Sequence, residues 1–459
     1  MKPLLDQLTE IVGDAGILSG DLLAGRSAGI WSGGELQALA LVRPESTGEV
    51  SAVLKLCNQL GQVVVPTGGM TGLAGGHQST GADIVLSLER MNTIESIDTR
   101  SRCMTVQAGV ILQSVQEKSA DAGLMFPLDL GARASCTIGG NIATNAGGVR
   151  VLRYGMMREL VLGLEAVLAD GTVISSMFKL LKNNTGYDLR QLFLGSEGTL
   201  GVVTRAVLRL YEAPAGVETA LLAVSSWHQV MKLLREFDRV LAGGLVAFEV
   251  LWRNHYELNT GPYSVLDPPL TESTPYYILL DVLVWDVDEG RQKLESLLMK
   301  CLENNEIVDG ALANSETERG KFWQIRENFE PEQKKFGQIY GYDVSLPIEA
   351  MEGYVDGVQS RLIAKFPDAE LFAYGHVGDG NLHFSVAPGG DGRRDAINGI
   401  VYGPLETLRG SVSAEHGIGL EKKAYLRLTR SEAEIDLMRR MKVMMDPNNI
   451  LNPGKLFDL

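Results

Sequence analysis

The residues best suited to chemistry in this chain gather towards its C-terminal end. His376 and His383 sit in Tyr374-Gly375-His376-Val377-Gly378-Asp379-Gly380-Asn381-Leu382-His383, and Glu415 and His416 in Ser413-Ala414-Glu415-His416-Gly417. The chain has six histidines in all, so three of them in two short stretches is more than composition would place there. The first stretch reads as a β-hairpin turning at Asp379-Gly380, a dipeptide suited to a two-residue type I′ turn. Counting outward from that turn, His376 faces His383. Directly opposed residues project from one face with Cβ atoms roughly 5 Å apart. Two imidazoles so held, with a carboxylate from Glu415, make a divalent-metal site with open positions. The competing explanation for either histidine alone is a packed, hydrogen-bonded ring. The pairing and the Glu-His dipeptide downstream favour a ligand or catalytic role.

The elements that must carry these residues follow from length and pattern. A chain of 459 residues has room for two or three domains with substantial cores. The net charge of −15 argues against nucleic acid or an anionic membrane as partner, because phosphates would be repelled. Cys57, Cys103, Cys136 and Cys301 are widely spaced, with no Cys-x-x-Cys. They give no sign of a disulfide framework, an iron–sulfur cluster or a thiolate zinc site. The N-terminus carries acids within an amphipathic helical pattern and reads as neither signal nor transit peptide. No apolar run is long enough to span a bilayer. A cytoplasmic protein is therefore expected.

Three glycine-rich segments occupy the first half. The β-branched strand Val63-Val64-Val65 feeds into Pro66-Thr67-Gly68-Gly69-Met70-Thr71-Gly72. The second runs from Thr137 to Arg150, and the third is Gly195-Ser196-Glu197-Gly198-Thr199-Leu200-Gly201. Glycines let backbone N–H groups converge on an anion and let the backbone approach it closely. The first matches neither the Gly-x-x-x-x-Gly-Lys pattern of nucleotide hydrolases nor the Gly-x-Gly-x-x-Gly of nicotinamide binding. A single such loop is often only a tight turn. Three of them are better explained by a large dinucleotide lying across a domain.

After Ala213-Pro214-Ala215-Gly216 the character changes. Strands near Thr219–Val224, Ala247 and Tyr277–Val284 alternate with helices Trp227–Ala242 and Val287–Asn304. This pattern predicts an α+β domain with an antiparallel sheet, which receives the histidine hairpin. The tail from Leu420 to Met445 reads as helical.

The first two glycine segments, Pro66 to Gly72 and Thr137 to Gly148, together resemble the FAD-binding domain of the vanillyl-alcohol-oxidase superfamily. Adding His376 to His383, Glu415-His416-Gly417 and Asn452-Pro453-Gly454-Lys455 narrows the resemblance to FAD-dependent D-2-hydroxyacid dehydrogenases. That group contains D-2-hydroxyglutarate dehydrogenase, D-lactate dehydrogenase and the flavin subunit of glycolate oxidase. The resemblance covers the chain from about residue 36. It implies an α+β fold: a two-subdomain FAD-binding domain, an α+β cap domain with an antiparallel sheet, and a C-terminal helical segment. With the helical pattern read over residues 1–35, the expected boundaries are that N-terminal helical segment, the FAD-binding domain at 36–213, the substrate domain with the metal site at 214–419, and a segment at 420–459 packing back on the FAD domain.

The resemblance also implies residue roles. Pro66, Thr67, Gly68, Gly69, Met70, Thr71 and Gly72 would hold the FAD pyrophosphate. Pro127, Leu128 and Asp129 would line the dinucleotide with Thr137, Gly139, Gly140, Asn141, Ala143, Thr144, Asn145, Gly147 and Gly148. Glu197, Gly198, Gly201 and Val202 would hold more of it, and Asn452 would approach the flavin ring. Some superfamily members attach FAD through a histidine in the first loop. Met70 stands at the matching position here, which implies non-covalent FAD. His376, His383 and Glu415 would bind zinc, though manganese also suits such a site. His416 would take the C2 hydroxyl proton, and Arg326 in Phe322-Trp323-Gln324-Ile325-Arg326 would grip a substrate carboxylate.

Two positions depart from the D-2-hydroxyglutarate pattern. Where those enzymes carry a threonine and a lysine for the distal carboxylate, this chain has Glu330 and Gly341. Like charge at Glu330 should weaken binding of a second carboxylate, with Lys334 or Lys335 a candidate compensation. The expected substrate is thus D-2-hydroxyglutarate or a related acid. A D-lactate or glycolate dehydrogenase or oxidase is the first alternative, and a non-catalytic flavin electron-transfer subunit the second. An external acceptor is expected, an electron-transfer flavoprotein or a quinone, and a homodimer is plausible for the family.

Overall fold

The computed structural model describes residues 2–30 and 33–459, so Met1, Trp31 and Ser32 of the expected N-terminal helical segment lie outside the described residues. Within that segment the α-helix covers only Leu4–Val12. Gly13, at φ 70°, ends it with its N–H on Thr9 O at 2.8 Å. Ile17 and Leu18 then pair antiparallel with Val42 and Leu41. A helical reading of residues 1–35 is therefore too long, because the glycine at position 13 stops it.

The chain divides into two compact units. The first contains residues up to Gly148, Gly155–Ala213 and Glu415–Leu459. It holds a four-stranded sheet in the order Ile17–Leu18, Ala40–Val42, Ile84–Ser87, Val64–Thr67, whose last three strands run parallel. Their side chains are almost all buried, as expected for short β-branched runs covered on both faces. Helix Thr47–Leu60 belongs to this unit. Ser46 accepts the Glu49 N–H at its start, and Gly61 closes it in the left-handed conformation. A second, antiparallel sheet runs Ile94–Asp98, Cys103–Gln107, Val202–Arg209, Val161–Val167, Val173–Ser176. The expected tail helix is broken. A 3₁₀ segment, Lys423–Leu428, precedes helix Glu432–Met445. Ser431 and Glu434 form a capping box that restarts the helix.

The second unit contains Val149–Tyr154 and Pro214–Ala414. Its centre is a seven-stranded, wholly antiparallel sheet. The order is Asp309–Leu312, Gly216–Val224, Tyr276–Val284, Leu245–Trp252, Glu370–His376, Asn381–Ala387, Tyr340–Ser345. Helix Trp227–Leu241, capped by Ser226, buries Val230, Leu233, Leu234 and Phe237 at helical spacing. One core cluster joins Leu251, Tyr277, Leu279, Phe322, Ile325 and Tyr374, so the base of helix Glu316–Glu327 is fixed beside the strand that carries His376. Among the described residues, no helix is long and apolar enough to cross a membrane. All four cysteines are free and buried.

Candidate active site

In the second unit the histidine hairpin forms, with a different register from the one expected. Tyr374, not His376, lies opposite His383. A type I′ turn needs positive φ at both central residues. Here Val377–Asp379 form a 3₁₀ turn and only Gly380 is left-handed, at φ 88°. The longer turn shifts the pairing by two residues, which keeps the same face. His376 and His383 are therefore diagonal neighbours, with ring centroids 5.4 Å apart and an edge-on angle of 78°.

The flanking strands supply acids to both histidines. Glu249 is the direct cross-strand partner of His376, and Asp343 that of His383. Both acids are 0% exposed. The Glu249 carboxylate binds His376 Nδ1 through Oε1 and accepts from Arg326 Nε through Oε2 at 2.8 Å. Burial alone would raise the Glu249 pKa, but the neighbouring His376 and Arg326 outweigh it and bring it down to about 2. Arg326 Nη2 lies 3.1 Å from His376 Nε2. A guanidinium cannot accept, so Nε2 is the acceptor and the imidazole proton sits on Nδ1, facing Glu249. The Nε2 lone pair is engaged by Arg326 in this structure, and a metal would take it only where the guanidinium gives way.

Arg326 is buried between Glu249, His376 and the ring of Tyr374, whose centroid is 5.0 Å from its Cζ. Behind Tyr374, His255 stacks at 4.3 Å, and His255 Nδ1 lies 3.7 Å from the wholly buried Glu332. Burial pushes Glu332 up to about 7. Burial, then the nearby Arg326 charge, pushes His255 down to about 3. Asp343 accepts from Asn381 Nδ2 at 2.9 Å, and from the Ala414 N–H at 3.1 Å. Glu330 is exposed and bonded to Lys334 at 3.0 Å, while Lys335 faces Glu370 at 3.4 Å. Gly341 is exposed, and a Cβ added there would meet nothing within 4 Å.

In the first unit the glycine loops converge. A Cβ on Gly69 would lie 1.9 Å from Ser135 O, and one on Gly68 would lie 2.4 Å from Thr137 Oγ1. The loop after strand Val64–Thr67 is thus pressed onto the start of the segment 137–148. A Cβ on Gly148 would lie 1.9 Å from Asp129 O, which sets the stretch Pro127-Leu128-Asp129 against the other end of that segment. The third loop is tied to the second by Gly195 N–H to Ile142 O at 3.0 Å and Glu197 N–H to Ala143 O at 2.8 Å. Asn452 donates to Gly76 O and Glu197 O, at 2.9 and 2.8 Å. Gly201 and Val202 lie where the second sheet begins, with Val202 paired to Val167, so their backbone serves the sheet.

Two amides test whether a dinucleotide fits. The Oδ1 atoms of Asn141 and Asn452 are buried and have no hydrogen-bond partner among the described residues. Leaving such acceptors unpaired is costly. FAD, with hydroxyl, amino and imide donors, suits them and the backbone cradle of 66–72.

The side chain of Glu197 has a separate task. Its carboxylate accepts the N–H groups of Ile418 and Gly419 at 2.7 and 2.8 Å. A Cβ on Gly417, at φ 80°, would sit 2.7 Å from Glu197 Oε1. The turn just after Glu415 and His416 is therefore clasped by the same residue whose backbone closes the third glycine loop.

Sequence reasoning missed Glu249, Asp343, His255 and Glu332. The signal for Glu249 was a lone acid within Leu245-Val246-Ala247-Phe248-Glu249-Val250-Leu251. A charge in a fully buried strand needs a partner.

Comparison with known proteins agrees with this architecture. The family described as FAD linked oxidases, C-terminal domain, matches residues 213–456, and the FAD binding domain family matches 38–176. The D-2-hydroxyglutarate dehydrogenase of Xanthomonas citri is 39% identical over 92% of this chain and 89% of its own length. The mitochondrial D-2-hydroxyglutarate dehydrogenase of Bos taurus is 39% identical over 91% and 76%. The solved structure of p-cresol methylhydroxylase with substrate bound superposes with a TM-score of 0.76 at 16% identity, covering 99% of this chain and 96% of that one, a likeness of fold. The chain belongs to the FAD-linked oxidase family, in the branch of the D-2-hydroxyacid dehydrogenases.

Proposed function

We propose that the protein oxidises a D-2-hydroxyacid to the 2-oxoacid, with non-covalently bound FAD and a divalent metal held by His376, His383 and Glu415. FAD-dependent dehydrogenation of such an acid is the activity of its family. The observation that carries the finer reading is the row Glu249, His376, His383 and Asp343 across four adjacent strands, with Arg326 buried against its first two members. Support for Glu415 comes from the chain itself. Ala414 donates to Asp343, Asp343 faces His383, and Glu415 is the next residue.

When bound, FAD supplies the hydride acceptor and the metal the Lewis acidity that eases loss of the hydroxyl proton. Arg326 binds a substrate carboxylate in a planar, charge-assisted pair. Tyr374 stacks against it and limits its rotation. His416 accepts the C2 hydroxyl proton as the hydride leaves C2. Met70, a thioether at the position where relatives of the superfamily attach the flavin, supports non-covalent FAD. Electrons leave to an external acceptor, an electron-transfer flavoprotein or a quinone.

D-2-hydroxyglutarate or a related acid is the first substrate reading, supported by the names of the relatives. A monocarboxylate such as D-lactate or glycolate is the second, favoured by Glu330 and Gly341. Dialysis against a chelator should abolish substrate-driven flavin bleaching, and added zinc or manganese should restore it. Undiminished bleaching in metal-free protein would overturn the metal assignment.

A further inference from the structure

We propose that Glu249 is a positioning residue, binding the metal-ligand histidine with one carboxylate oxygen and the substrate arginine with the other. The proposal rests on the roles given above to His376 and Arg326. Its geometry is explicit. Glu249 Oε1 meets His376 Nδ1, and Oε2 accepts from Arg326 Nε at 2.8 Å. The carboxylate is wholly buried and fixed on a strand, opposite His376. Two nitrogens approach it, one at each carboxylate oxygen.

Glutamine at this position would be nearly isosteric but has a single acceptor oxygen. If that oxygen serves Arg326, the amide nitrogen faces His376 Nδ1 and favours the tautomer with its proton on Nε2. That tautomer has no Nε2 lone pair for a metal. If the oxygen serves His376, the amide nitrogen faces the Arg326 Nε–H instead, and the guanidinium loses its anchor. Aspartate keeps the charge but is too short to reach both partners from the same backbone position. The role is therefore specific to glutamate, and it links the metal site to the carboxylate grip through one side chain.

The test uses the purified flavoprotein and zinc itself. Zinc affinity is measured by competition with a chromophoric chelator for wild type, Glu249→Gln, Glu249→Asp, Arg326→Gln and His376→Ala. The proposal expects Glu249→Gln to lose either 10- to 100-fold in zinc affinity, the range found for outer partners of metal ligands, or the low KM of wild type, according to which partner its oxygen serves. Arg326→Gln, which leaves the Glu249–His376 contact in place, should bind zinc within about threefold of wild type. At saturating zinc, Arg326→Gln should show a raised KM. Glu249→Asp retains the charge and provides the folded control should the glutamine variant be unstable. It should lose either zinc affinity or a low KM, and retention of both overturns the proposal. Wild-type zinc affinity together with wild-type KM in Glu249→Gln, with zinc loss in His376→Ala, overturns the proposal and leaves the metal site standing. Unchanged affinity in His376→Ala instead overturns the metal reading on which it rests.

Discussion

Glu249 and His376 are direct partners in an antiparallel strand pair, and their side chains meet on one buried face of the sheet. The pairing puts a carboxylate where an apolar strand would otherwise run unbroken. Arg326 reaches the same carboxylate from the end of helix Glu316–Glu327. Acid, imidazole and guanidinium are thus held by two strands and one helix, none of them by a free loop.

Arg326→Lys should lower kcat/KM about 10- to 100-fold, the cost of one lost charge-assisted hydrogen bond, mainly through KM. A lysine keeps the charge but not the planar fork. Arg326→Met should in addition destabilise the protein by about 3–5 kcal/mol, because Glu249 is left buried without its cation. Steady-state kinetics and denaturant unfolding separate the two effects. A lysine variant with wild-type KM would remove Arg326 from substrate binding.

His416→Gln should retain FAD and slow flavin reduction about 10²- to 10⁴-fold, the usual contribution of a general base. Rapid mixing under anaerobic conditions reads the step directly. Reduction at the wild-type rate would assign the proton to another group.

Glu332 and His255 predict a pH signature in stability. Burial pushes the Glu332 pKa from 4.5 up to about 7, so between those values the folded protein holds a proton that the unfolded chain has lost. Stability from this group is full at low pH and is lost as pH rises through about 7, by up to about 3 kcal/mol. His255, pushed down from 6.5 to about 3, acts in the opposite direction, with stability rising with pH between those values. The two slopes oppose each other from about 4.5 to 6.5, and the Glu332 loss stands alone just above. Glu332→Gln should therefore gain stability relative to wild type as pH is raised from about 5 to 8. Parallel pH–stability curves for the two proteins would contradict a buried, protonated Glu332.

Glu330→Thr combined with Gly341→Lys should favour a dicarboxylate. Gly341 is exposed with open space around its Cα, and Glu330 is exposed, so both changes should fold. The exchange removes one negative charge and adds one positive charge. The ratio of kcat/KM for D-2-hydroxyglutarate over D-lactate should rise at least about tenfold, the equivalent of 1.4 kcal/mol. An unchanged ratio would place the distal pocket elsewhere.

The glycine loops were legible because their glycines stand in runs along the chain, although what excludes a Cβ at Gly69 and Gly148 is a carbonyl oxygen from another segment, Ser135 O and Asp129 O. The hairpin was legible as an element, but its register was not. A 3₁₀ turn at Val377–Asp379 replaced the two-residue turn, and the period of two kept both histidines on one face despite the shift. The N-terminal helix was overextended past Gly13, whose positive φ ends it. Glu249 escaped notice because its partners are distant in sequence, Arg326 lying 77 residues away, and only strand pairing brings them together. The clasp of Glu197 on Ile418 and Gly419 spans more than 220 residues and has no local signature.

The most direct measurement is anaerobic mixing of the metal-loaded flavoprotein with D-2-hydroxyglutarate, D-lactate, D-malate and glycolate in turn, following the flavin absorbance. The account predicts rapid bleaching by at least one D-2-hydroxyacid, with the L-enantiomer inert. Bleaching by D-2-hydroxyglutarate would mean that residues other than a threonine and a lysine at positions 330 and 341 receive the distal carboxylate, and bleaching only by a monocarboxylate would assign the changed pocket to Glu330 and Gly341. No bleaching by any 2-hydroxyacid, from protein that carries both FAD and metal, would contradict the account.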